Sequence, residues 1–92
     1  MKYYIVMNEW LYPTESGREY IDDYDTLAIA SAMAKFQYEK ELPNFLEVNS
    51  EIYTQGECIN SKGECEGYLI TSSQHEEESM FFRSVIIERE IP

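Results

Sequence analysis

The sequence contains few basic residues: seven Lys and Arg stand against eighteen Asp and Glu in 92 residues, giving a net charge of −11. A surface with this charge repels nucleic acid and anionic lipid, and it attracts basic protein surfaces. Acids outnumber bases in each of the segments 1–24, 25–45, 46–66 and 67–92. We therefore expect a folded acidic surface rather than an acidic tail, with no direct nucleic-acid contact and no membrane binding.

The given residues also show no pattern typical of a targeting or membrane-spanning segment. The apolar run at residues 1–7 is too short for a signal peptide and lacks a small-residue cleavage site. No stretch approaches the roughly 20 apolar residues that cross a bilayer. These absences predict a cytoplasmic protein, in which two cysteines are expected to be reduced. A disulfide that closes the loop between Cys58 and Cys65 stays open as an alternative.

Motifs for catalysis or cofactor binding are missing as well. The sequence has no Gly-rich phosphate loop, nucleophile elbow, metal-binding His pair or calcium loop. We therefore expect a protein without a cofactor that is not an enzyme. Cys58, Cys65 and His75 are weak metal candidates, because a zinc site needs four ligands that usually come in closely spaced pairs. A small Cys/His metal-binding domain or enzyme stays open as an alternative.

The apolar content is sufficient for a folded chain, with 43% hydrophobic residues, eight Tyr, four Phe and one Trp. Acidic disordered proteins are poor in such residues, so we expect one domain over residues 1–92. Residues 2–12 predict a strand with apolar groups on both faces, which is typical of an interior position. A turn over 13–17 and a more polar strand over 18–23, suited to a sheet edge, complete a hairpin.

Residues 27–41 are strong helix formers and predict a helix, with Asp25 or Thr26 as its N-cap. Pro43 is expected to end this helix, since the residue before a proline is disfavoured in the helical region. At 100° per residue, the apolar side chains cover one arc that we expect to face the sheet. They are Leu27, Ile29, Ala30, Met33, Ala34 and Phe36.

Three further strands are predicted over 49–55, 68–72 and 80–91, with a polar loop at 56–67 and a charged tip at 74–79. The expected fold is therefore α+β: an antiparallel sheet of four to five strands, in the order β-β-α-β-β-β, with one amphipathic helix packed on a face. The last two strands form a second hairpin. If the second face of the first strand is not covered within the chain, a homodimer would cover it.

Two acidic segments are candidates for partner binding. Carboxylates on an extended strand can meet Arg or Lys side chains, and tyrosines supply rigid contact area. The same features suit a soluble edge strand that discourages aggregation, so both interpretations stay open. The candidate residues are Glu19, Tyr20, Asp22, Asp23, Tyr24 and Asp25 on the second strand and after it, and Glu76, Glu77 and Glu78 at the tip.

The function favoured by these observations is a small non-enzymatic protein that binds a basic surface of another protein. Its sharpest form is a nucleic-acid mimic, a phage or mobile-element inhibitor of the anti-CRISPR or anti-restriction type, whose partner is a nucleic-acid-binding protein. An antitoxin or immunity protein that neutralises a basic nuclease has the same physical requirements. The sequence leaves these alternatives open.

Overall fold

A computed structural model describes residues 1–48, 51–72 and 80–92 of the chain. The described elements are five strands and one helix. They are β1 (Lys2–Tyr12), β2 (Glu15–Tyr24), α1 (Leu27–Val48), β3 (Thr54–Ile59), β4 (Cys65–Thr71) and β5 (Phe81–Glu90).

All five strands form one antiparallel sheet in the order β2-β1-β5-β4-β3. The helix packs on one side of this sheet, so the predicted α+β class, element order and helix placement are confirmed. β1 is an interior strand and β2 an edge, as their side-chain patterns predict. The hairpin turn is tighter than expected, because β2 begins at Glu15 rather than at Arg18.

The helix starts where the sequence predicts. The backbone N–H of Ile29 donates to Thr26 Oγ1 over 3.2 Å, which makes Thr26 the N-cap. The predicted apolar arc is partly wrong, because Ile29 and Phe36 are 50% and 55% exposed. Ala30 and Ala34 of the same arc are fully buried as predicted, since their small side chains allow the helix to approach the sheet closely.

The predicted helix end at Pro43 is also wrong, since α1 continues to Val48. A proline inside a helix removes one backbone hydrogen bond and costs about 3 kcal/mol. Pro43 and Asn44 lie on the exposed side of α1, where water can hydrate the freed carbonyl. Beyond them Phe45 is 0% exposed, and burial of this ring offsets the proline's cost.

The predicted loop at 56–67 is largely a hairpin in the structure. Its residues form the end of β3 and the start of β4, and the predicted third strand begins five residues later than expected. Gly67 permits this arrangement. Its φ is +134°, and a Cβ there would lie 2.1 Å from the backbone oxygen of Ser84 on β5. Only glycine allows such a close approach.

The core between helix and sheet has two parts. One, here called the Phe45 cluster, consists of Phe45, Ile70, Met80 and Phe82, and the other, the Val6 cluster, of Val6, Ala30 and Ala34. Asn8 and Ser84 are register partners on β1 and β5, and both are buried between the two clusters. The core is therefore divided by a polar layer, which reaches the surface beside β2.

Candidate functional site: an acidic cleft beside the edge strand

The predicted acidic segment lies on edge strand β2 and is mostly exposed. Simple alternation would place Glu19 and Asp23 on one face of this strand, but that assignment is wrong. The pairing with β1 shifts at Ile21, an extra residue that packs against the Val6 cluster. Such a bulge reverses the alternation beyond it, so Glu19 and Asp23 point to opposite sides of the sheet.

The bulge separates the segment into two groups. Glu19 lies opposite Asn8 and therefore on the helix side, whereas Tyr20 and Asp23 lie on the other side. There, desolvation and the charges of Asp23 and Asp22 raise the pKa of the Tyr20 phenol. By register, Asp22 lies opposite Val6 and therefore on the helix side with Glu19. The segment thus presents the Tyr20 phenol and Asp23 on one side, and Glu19 and Asp22 on the other.

The remaining predicted residues contribute less to one surface. Tyr24 is half-buried against the Val6 cluster, and Asp25 is exposed just before the helix. Glu76, Glu77 and Glu78, together with His75, fall within 73–79 and lie outside the described residues.

A cleft of about 240 Å³ opens between α1 and the β1–β2 hairpin. Three carboxylates line it, from Glu15, Glu19 and Glu41, and Lys40 supplies one ammonium group. We call this site the acidic cleft. Its other lining residues are the aromatic Trp10, Tyr12 and Phe82 and the amides Asn8 and Gln37.

The polar layer of the core forms the floor of the acidic cleft. Asn8 is 5% exposed, and its Nδ2 donates to Gln37 Oε1 over 2.9 Å. Its Oδ1 is buried and has no hydrogen-bond partner among the described residues, as is also true of Ser84 Oγ. An unsatisfied buried acceptor costs about 1–3 kcal/mol.

Tyr12 and Glu41 fix the rim of the acidic cleft. The Tyr12 hydroxyl donates to Glu41 Oε1 from a ring that also packs edge-on against Phe45. Burial, followed by the hydrogen bond and charge of Glu41, raises the pKa of the Tyr12 phenol. The hydroxyl therefore stays protonated and holds the Glu41 carboxylate in a fixed orientation.

The ion pairs of the described residues lie outside the acidic cleft. The described residues contain two pairs, Arg83 with Glu9 and the exposed Lys2 with Glu88. Neither pair involves Glu15, Glu19 or Glu41, so within the described part of the chain the acidic cleft has three carboxylates that form no ion pair. Among the residues that the structure describes, Lys40 is the only cation that lines it.

The cysteines form a different part of the molecule. Cys58 and Cys65 lie in the β3–β4 hairpin and are both free. Burial is the largest cause that raises the pKa of each thiol, so both are protonated at neutral pH. In the described ranges no three His, Cys, Asp or Glu side chains are grouped closely enough to hold a metal ion.

Sequence reasoning identified Glu19 but did not assemble the acidic cleft around it. Glu41 and Gln37 lie on the helix face that contacts the sheet, although that face was assigned by apolar residues alone. The signal available in the sequence was one polar residue on each of two otherwise apolar faces. Asn8 interrupts the apolar face of β1, and Gln37 interrupts the helix stripe that opposes it.

None of the helices in the described part of the chain combines the length and the apolar composition that crossing a bilayer requires. Comparison with family models, with curated proteins and with solved structures finds no match to this chain.

Proposed function

We propose that the protein is a small non-enzymatic binding module that engages a basic surface of a protein partner. The acidic cleft receives one Lys or Arg side chain of that partner. The observation that carries this proposal is a cleft lined by three carboxylates that form no ion pair among the described residues, with the buried amide Asn8 at its floor. Acceptors in this arrangement select an N–H-bearing cation.

The chemistry of the acidic cleft suits a guanidinium group best. Arginine offers five N–H donors in a planar fork, which carboxylates accept in pairs. The rings of Trp10 and Tyr12 supply flat walls on which the cation can stack. The volume of about 240 Å³ lies below the 300–1,000 Å³ typical of small-molecule pockets, so it fits a side-chain head better than a whole metabolite.

The acidic residues outside the cleft would increase the rate at which the partner associates. A net charge of −11 steers a basic surface toward the chain and makes association sensitive to salt. In the nucleic-acid-mimic form of the proposal, exposed β2 carboxylates occupy positions on the partner that phosphates otherwise take. The antitoxin form differs only in the partner, a basic nuclease. Both forms are set in the cytoplasm, where free thiols such as those of Cys58 and Cys65 persist.

The first experiment uses Trp10, the only tryptophan in the chain, as the reporter of the acidic cleft. An acetyl-Gly-Arg-Gly-amide peptide is titrated while Trp10 emission is recorded, with the citrulline peptide as the uncharged control. We expect a saturable change near about 1 mM for the arginine peptide, an affinity suited to one side chain. An equal response to citrulline would refute cation recognition.

Two variants with the same change in net charge test the location. Glu19→Gln removes a cleft carboxylate, and Glu57→Gln removes one from β3 at the opposite edge, about 19 Å away across four strand spacings. We expect Glu19→Gln to weaken arginine binding about threefold or more and Glu57→Gln to change it little. Lys40→Gln should strengthen it, since Lys40 is the competing cation. Equal losses for the two Glu variants would assign binding to net charge alone.

The partner itself is sought by affinity capture from the source organism at low and high salt. A partner of the proposed kind is captured at low salt, is lost at high salt and is not captured by the Glu19→Gln variant. For the mimic form, the captured protein is then mixed with its nucleic acid. Displacement of that nucleic acid by this chain is the expected result, and simultaneous binding of both would exclude mimicry.

A further inference from the structure

The side of the sheet that faces away from α1 is apolar at its centre. Ile5 and Met7 on β1 pair with Ile87 and Val85 on β5, and all four side chains are half-buried. Because side chains alternate along a strand, these four lie on the other side of the sheet from Val6 and the rest of the helix-facing core. In the described residues no helix or strand packs over them. We call this side of the sheet the open face.

We propose that a second copy of this chain covers the open face, so that two sheets pack against each other about a two-fold axis. Antiparallel sheets with one wet face alternate apolar and polar residues. The central strands β1 and β5 instead have apolar side chains on both faces. This pattern is typical of a sheet that is covered on both sides, and α1 covers only one.

Charge identifies the second copy as the occupant. By register, the charged residues that β2, β1 and β5 place on the open face are three arginines and two carboxylates. Over the whole chain, acids outnumber bases more than two to one. On these three strands the open face is thus less acidic than the chain as a whole, so two copies that meet there repel each other less than their net charge implies. The charged residues counted on the open face are Arg18, Arg83, Arg89, Glu9 and Asp23.

The arginines make this face complementary to itself. Arg83 pairs with Glu9 over 2.7 Å and lies 5.4 Å from the centre of the Phe81 ring. Arginine is enriched in interfaces because it combines charge, donors and a planar surface. Arg83 and Glu9 are register partners on β5 and β1, so a two-fold axis that runs along the strands between β1 and β5 places Arg83 of each copy over Glu9 of the other.

The size of the open face is sufficient for a stable dimer. Five strands lie about 4.8 Å apart and average about nine residues at about 3.3 Å each, which gives about 24 by 29 Å. The resulting area of about 700 Å² lies within the roughly 600–1,000 Å² that each partner buries in a standard stable interface. Both acidic clefts lie on the helix side and remain accessible. The inference therefore does not depend on the proposed function.

The test measures the oligomeric state of the full chain by sedimentation equilibrium. At about 100 µM we expect twice the chain mass of 10.9 kDa. Val85→Thr with Ile87→Thr keeps β-branched side chains but makes the open face polar, and it should raise the dimer Kd at least tenfold. Ile29→Thr, the same type of change on the exposed side of α1, is the control and should leave the Kd unchanged.

Circular dichroism shows whether the double variant still folds. Because it could lose stability, a mixed sample with one labelled and one unlabelled copy provides a second measurement on the natural chain. We expect intermolecular nuclear Overhauser effects between methyl groups of Ile5, Met7, Val85 and Ile87. A natural chain that is monomeric at this concentration overturns the proposal. So does a dimer that survives the double variant and dissociates with Ile29→Thr, or an open face that is covered by a different protein.

Discussion

Replacement of Phe45 by alanine should remove a large part of the stability of this protein. Phe45 is 0% exposed and lies edge-on to Tyr12, with 5.9 Å between the ring centres. Loss of a buried Phe ring costs about 3–5 kcal/mol, of which the aromatic pair accounts for about 0.5–1.5 kcal/mol. A domain of 92 residues has a total stability of about 5–14 kcal/mol. The variant should therefore lose between about a fifth of that stability and nearly all of it.

Urea denaturation provides the assay, because Trp10 packs against the Phe45 cluster and its fluorescence reports that cluster directly. Far-ultraviolet circular dichroism in the same titration follows α1 and the sheet. The neighbouring Leu46 is 44% exposed, so Leu46→Ala is the control and should cost less than about 1 kcal/mol. Similar losses for the two variants would refute our account of α1 beyond Pro43, since Phe45 would then not be a core residue.

Two further stability predictions follow from single contacts. Tyr12→Phe removes the hydrogen bond to Glu41 and should cost about 1 kcal/mol at pH 7. Because the pKa of Tyr12 is raised in the folded state, this stability is present below about pH 10 and is lost progressively above it. The difference in free energy of unfolding between the natural chain and Tyr12→Phe should therefore shrink in alkaline denaturation curves. A difference that stays constant with pH contradicts the assignment. Gly67→Ala should cost more than about 3 kcal/mol because its Cβ meets the Ser84 carbonyl, whereas Gly63→Ala, with open space around it, should cost about 1–2 kcal/mol by thermal unfolding. Equal losses would show that backbone strain alone matters.

Element types and their order were predictable because strand and helix periodicities differ strongly in this sequence. The two-sided apolar pattern of β1 correctly predicted an interior strand. Element ends were less predictable where a tertiary contact outweighs a local preference. Phe45 extends the helix past Pro43 through its burial, which depends on residues 25 or more positions away, such as Ile70.

The acidic cleft was only partly predictable from sequence. Glu19 was a candidate because acids are dense around it, but its orientation depends on the bulge at Ile21, for which the segment has no local signal such as a glycine. Asn8 and Gln37 interrupt apolar stripes on separate elements, and each looks like an exception when considered alone. Only the packing of α1 on β1 brings them together, 29 residues apart in the chain.

The position of β5 has a consequence for how the molecule is assembled. This strand is the last of the sheet in the chain and lies at its centre, between β1 and β4. The hairpin β1–β2 and the hairpin β3–β4 have no strand pairing with each other until residues 81–90 insert between them. During synthesis the ribosome must therefore deliver β5 before a continuous sheet exists, and two pairs of strands with unpaired edges precede the native state.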